Sequence, residues 1–131
     1  MPWLPAIVLP AVVLRAQGAD AVRGRVAGDL KLRLADGRIV ALNGDADSAG
    51  VLRDERLARD EFELRGRFTA REAFTIDPIH LRAIFVWRGG RKFVVTYWCD
   101  VCAIRAWTPG RCQCCQDEMA LDLRDPALKE T

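Results

Sequence analysis

Leu30-Lys-Leu-Arg-Leu-Ala-Asp-Gly-Arg-Ile-Val-Ala-Leu42 holds two short apolar runs joined at Asp36-Gly37, the first of them alternating strictly with charged residues. A period of two sends successive side chains to opposite faces of a strand, so Leu30, Leu32 and Leu34 share one face while Lys31 and Arg33 meet water. Asp-Gly is the turn chemistry that folds two such strands back on each other. The same alternation extends outward in both directions. Val22 to Val26 precedes the hairpin, and Phe62 and Leu64 follow it between Glu61, Glu63 and Arg65. Phe74 to Leu81 reads as an edge strand interrupted by Pro78, which cannot donate to a ladder. Ile84-Phe-Val-Trp87 and Phe93-Val-Val-Thr-Tyr-Trp98 flank Arg88-Gly-Gly-Arg91, the clearest hairpin in the chain. Met119 to Arg124 adds one short strand before Asp125-Pro126.

Between the early and later strands, Ser48 is expected to cap a short helix carrying Val51, Leu52 and Leu57. The polar loop Asn43 to Gly50 contains acidic residues but lacks the spacing and terminal Glu of a calcium loop. Five or six strands and one short helix make a mainly β chain: a small barrel or a curled antiparallel sheet, followed by a cysteine module. The order of strands, helix and further strands over roughly residues 22–98 resembles a barrel of the oligonucleotide/oligosaccharide-binding (OB) type. That resemblance implies ligand binding on one barrel face, although many such barrels serve as adaptors. The expected organisation is a leader-like or docking segment over 1–21, the barrel over 22–98, and the cysteine module with its tail over 99–131.

All five cysteines lie between Cys99 and Cys115. Cys99-Asp-Val-Cys102 and Cys112-Gln-Cys114-Cys115 provide two Cys-x2-Cys hooks, a spacing that presents four sulfurs to one tetrahedral ion. The pattern resembles a compact zinc ribbon or zinc knuckle, with Ala103 and Gln116 where family knuckles place glycine. Zinc is the expected metal, held by Cys99, Cys102, Cys112 and either Cys114 or Cys115, with Arg105 and Arg111 offsetting the negative charge. A disulfide pair with a remaining metal or free thiol, a mononuclear iron or iron–sulfur centre, copper, and a site of three cysteines with His80 are the other readings of the same residues. For His80, the single histidine, a partly buried imidazole bonded to backbone is the simpler expectation.

With 131 residues, half of them hydrophobic, the chain can bury a core without depending on a metal. A formal charge of +2 is too slight to imply a nucleic-acid partner. No Ser/His/Asp grouping, phosphate loop or dinucleotide glycine pattern is present, so no catalytic residue and no small-molecule substrate are assigned. Residues Met1 to Leu14 carry no charged side chain, which points to export to the periplasm or to contact with a membrane or an apolar partner. Ala19-Asp-Ala21 is an acceptable cleavage triplet. Trp98, Trp107, Pro109 and Arg111 surround the cysteine loops and are the expected contacts for a protein partner in a larger assembly. The sequence therefore reads as an accessory subunit with a structural zinc site; a thiol-redox or electron-transfer protein is the alternative.

Overall fold

A computed structural model describes residues 20–127. Nine strands form one sheet: β1 (Asp20–Val26), β2 (Lys31–Leu34), β3 (Ile39–Asn43), β4 (Glu61–Ala70), β5 (Ala73–Ile76), β6 (Ile84–Arg88), β7 (Arg91–Cys99), β8 (Ile104–Ala106) and β9 (Ala120–Arg124). The sequence pattern suggested five or six. The tail strand read at Met119 to Arg124 is β9, whereas β8 was not read, its three residues being too few to show a period.

Strands β1, β2, β3, β5 and β4 close a ring, because β1 also pairs with β4 over Asp20↔Gly66 to Gly24↔Phe62. Every contact in the ring is antiparallel except β3–β5, which is parallel over Ala41↔Ala73 to Asn43↔Thr75. A parallel pair needs a long crossover. The crossover here contains helix α1 (Ala46–Leu52), the 3-10 turn Glu55–Leu57, and β4 itself. The interior follows the alternation read from the sequence: Val22, Leu32, Val40, Leu42, Phe62, Leu64, Phe74 and Ile76 are buried together. Val51, Leu52 and Leu57 join that cluster from the crossover. Gly24 and Gly66 sit where neighbouring backbones approach closely. A Cβ on Gly66 would overlap the Thr75 carbonyl oxygen, and one on Gly24 would overlap that of Arg33.

The helix begins earlier than expected. Asp45, not Ser48, is its N-cap, accepting the Ser48 amide at 2.8 Å, while Ser48 itself is buried in the first turn. The second Asp45 oxygen accepts the Ile79 amide at 3.0 Å, tying the helix start to the loop after β5. Partial burial works to raise the Asp45 pKa, but the Ile79 and Ser48 hydrogen bonds outweigh it and bring the net value below the ordinary carboxylate range.

The barrel, expected over 22–98, is complete by Ile76. Strands β5 and β6 lie in series along the same edge of β4, β5 against Gly66–Ala70 and β6 against Glu61–Leu64. Pro78 and the 3-10 turn Ile79–Leu81 interrupt what would otherwise be one strand. Strand β6 then turns through Gly89-Gly90, both at positive φ, into β7. Strands β8 and β9 both pair with Tyr97 and Trp98, so they flank β7 on opposite edges.

Residues 1–19 lie outside the described part, and with them most of the leader-like segment. Asp20 and Ala21 of the cleavage triplet are the first residues of β1, opposite Gly66 and Arg65. Among the described residues no helix is long and apolar enough to cross a membrane.

Candidate metal centre

Alternation along β7 decides where the cysteines sit. Val95, Tyr97 and Cys99 point into the core, whereas Val94, Thr96 and Trp98 point to the other face. Cys99 is therefore buried at the inner end of the strand, and Cys112 and Met119 join the same cluster. A buried hydrogen bond anchors this region. Tyr97 donates its hydroxyl to Asp54 Oδ2 at 2.7 Å, and Arg56 pairs with Asp54 at 2.9 Å while lying over the Tyr97 ring. Burial first, then the Asp54 hydrogen bond, pushes the Tyr97 pKa far up, so the phenol remains a donor. For Asp54, burial is outweighed by hydrogen bonds from Arg56 and Tyr97, and its pKa falls below the usual range.

The two Cys-x2-Cys hooks share one backbone design. In the first, the Ala103 amide donates to the Cys99 carbonyl at 2.8 Å and the Cys102 amide to Cys99 Sγ at 3.4 Å. In the second, the Gln116 amide donates to the Cys112 carbonyl at 2.9 Å and the Cys114 amide to Cys112 Sγ at 3.4 Å. Each hook closes on a residue with left-handed backbone, Ala103 at φ 56° and Gln116 at φ 69°. These are the positions where family knuckles carry glycine, and the turn forms here without it.

The sulfurs of Cys99, Cys102, Cys112 and Cys115 all lie within 4.8 Å of one another. Four thiolates about 2.3 Å from a central ion would be separated by about 3.8 Å. Cys99 Sγ lies 3.5 Å from Cys115 Sγ, far beyond a disulfide bond, and all five cysteines are free thiols. The group can therefore hold a metal ion. Cys114 is not one of the four; it is exposed, with its side chain against Cys102.

Backbone amides supply the nearest positive potential. The N–H groups of Cys115 and Cys114 pull the Cys112 pKa down to about 7. Contact with Cys114 leads the causes that push Cys102 up. Arg105, expected beside the sulfurs, is committed elsewhere: it donates to Thr96 Oγ1 at 2.8 Å and Asp122 Oδ2 at 2.7 Å, and lies over the Trp98 ring. Arg111 is exposed at the base of the second hook, where its backbone forms an isolated antiparallel β-bridge with Glu118.

His80 is exposed on the 3-10 turn after β5, neither a partly buried core imidazole nor part of the sulfur group. Trp107 is half-buried under the Arg82 guanidinium, while Thr108 bonds to the Asp47 carbonyl at 3.4 Å and lies with Pro109 near Gly50, so residues 108–109 rest on α1. Trp98 lines a groove of about 850 Å³ together with Val101 and Leu121, walled by the first hook and by Asp117, Glu118 and β9 beyond the second. Val101, at the tip of the first hook, is 72% exposed and Ile104 is 42% exposed. Ile104 is one of the apolar contacts expected from the sequence; Val101 was passed over, although an apolar residue inside a tight polar turn is a signal in its own right.

No family model, curated protein or solved structure matches this chain. Its function is therefore argued from the site.

Proposed function

We propose that the chain is an accessory subunit in which one structural zinc ion fixes a cysteine module on an OB-type barrel, and that this module docks on a protein partner. The barrel type is supported by the ring order β1-β2-β3-β5-β4, the parallel β3–β5 contact and the helix between β3 and β4. One observation carries the metal reading: two hooks of the same backbone design turn four thiols toward a common centre. Four sulfur donors suit zinc or iron; zinc is favoured because the set is closed and two of its ligands are built into the core. Zinc would supply a tetrahedral cross-link between the hooks. Cys99, Cys102, Cys112 and Cys115 would hold it, and the amides directed at Cys99 and Cys112 would disperse its thiolate charge.

Val101 and Ile104 support a docking role, because a rigid turn that exposes apolar side chains beside a groove is a contact surface without its partner. Trp98 belongs to this surface, whereas Trp107 packs under Arg82 and Pro109 helps to hold the loop on α1. Export or membrane contact through residues 1–14 is part of the same proposal. Amino-terminal sequencing of protein from its native source checks it.

Elemental analysis of natively purified protein tests the metal: about one zinc per chain is expected. Stoichiometric iron with visible absorption would replace the structural reading by electron transfer. The lowered Cys112 pKa and the exposed Cys114 thiol favour a second reading, thiol–disulfide exchange. Turnover of a disulfide substrate that is lost in Cys112→Ser, with the fold retained, would establish that alternative.

A further inference from the structure

Ring closure gathers arginines that the sequence keeps far apart. A solvent-facing cavity of about 360 Å³ at the barrel rim is lined by Arg23 and Arg25 of β1, Arg59 before β4, Arg88 at the end of β6, and the Gly89-Gly90 turn. Two carboxylates also line it, and each is already engaged. Glu61 accepts from Arg23 at 3.0 Å, and Asp60 takes Arg88 in a two-pronged contact at 2.8 and 2.8 Å. Arg23 also lies 4.0 Å from the Trp87 ring centroid, which fixes it further.

The other cations have no such compensation. Arg25 donates to the Arg59 carbonyl, and neither residue has an acidic partner among the described residues. Arg33 has none either, and it stands directly opposite Arg25 across the β1–β2 ladder on the exposed face. Like charges in cross-strand register repel each other. An anion between them reverses the sign of that interaction, because guanidinium forks bind oxyanions through paired hydrogen bonds.

We infer that Arg25 and Arg59, which line the rim cavity beside the Gly89-Gly90 turn, form a binding site for a phosphate-type oxyanion, with Arg33 contributing from its place opposite Arg25 on the neighbouring strand. The excess of four guanidiniums over two carboxylates around the cavity sets the sign of the ligand. Three guanidiniums without a carboxylate partner among the described residues, carried on separate segments, favour a tetrahedral phosphate group over a planar carboxylate. The glycines leave the wall low: a Cβ on Gly89 or Gly90 would find no atom within 4 Å. The site is independent of the metal reading.

The test uses the full, metal-loaded chain and inorganic phosphate as probe, with chloride at matched ionic strength as control. Phosphate is expected to shift the Gly89 and Gly90 amide signals and the arginine Nε–H signals, and to raise the thermal midpoint where chloride does not. The variant Arg25→Gln/Arg33→Gln/Arg59→Gln changes exposed side chains and should keep a dispersed spectrum while losing at least about tenfold in phosphate affinity. Flotation with phosphatidylcholine vesicles, with and without phosphatidylglycerol, identifies the source of the phosphate. Binding to anionic vesicles that is lost in the variant assigns a lipid headgroup. Binding of free phosphate without flotation assigns a small molecule. The single variant Arg33→Gln adds a second readout: it should stabilise the phosphate-free protein by relieving repulsion, and this gain should vanish in saturating phosphate. Unchanged Gly89 and Gly90 signals with no vesicle binding, or full binding by the triple variant, would overturn the inference.

Discussion

Replacing Ala103 by glycine should strengthen the protein, although glycine ordinarily weakens a β structure. Ala103 sits at φ 56° immediately after the second cysteine of the first hook. A left-handed backbone costs an L-residue about 1–2 kcal/mol, through the approach of its Cβ to the following carbonyl. Glycine removes that cost but gives the unfolded chain about 0.4–1 kcal/mol of additional freedom. The balance is a stabilisation of about 0.5–1 kcal/mol. If the hook orders around its metal, the same free energy appears as about two- to fivefold tighter binding. Gln116→Gly, at φ 69° in the second hook, should behave alike. Ala106→Gly in β8 is the control, a strand position where glycine should cost about 0.5–1 kcal/mol. Urea titration of the metal-bound protein and competition with a zinc chelator read the two effects. Equal destabilisation by Ala103→Gly and Ala106→Gly would refute the strained-knuckle geometry and weaken the case for a metal-organised hook.

Cys99→Ser and Cys112→Ser should each abolish stoichiometric metal, whereas Cys114→Ser, outside the sulfur group, should retain it; elemental analysis after dialysis distinguishes them. Tyr97→Phe should cost about 1.5–3 kcal/mol in urea unfolding, because the buried hydroxyl that it removes bonds to a carboxylate. Asp54 has a lowered pKa in the folded protein, so its contribution to stability is complete at neutral pH. That contribution should be lost as pH falls from the ordinary carboxylate range through the folded-state value. The stability gap between wild type and Asp54→Asn should accordingly narrow in acid; a gap that widens would refute the assignment. Gly66→Ala should destabilise by about 1–3 kcal/mol or more, measured by thermal unfolding, because the added carbon meets the Thr75 carbonyl.

Local pattern carried the barrel's parts and the metal candidates. The alternation of Leu32 and Leu34 with Lys31 and Arg33, the Asp36-Gly37 turn and the Gly89-Gly90 turn each depend on residues within a few positions of one another. The Cys-x2-Cys hooks are equally local. A period of two also put Cys99 in phase with Tyr97 and Val95 before any fold was known, though not which face of β7 would be covered.

Partnership between distant strands belongs to the tertiary structure. Alternation says which residues share a face but nothing about which strand lies alongside, so the ring closing at Ile76 and the placement of β6 and β7 beyond it were not legible. The same limit hid the choice of Cys115 over Cys114, which depends on how the second hook faces the first. It hid the diversion of Arg105 to Asp122 as well. Left-handed backbone at Ala103 and Gln116 ran against residue preference, and hook closure overrode it. The meeting of Arg25 with Arg59 in the rim cavity, and with Arg33 across the ladder, has the same origin: each charge is local to its residue, while the ring and the β1–β2 register set the distances on which Coulomb energies depend.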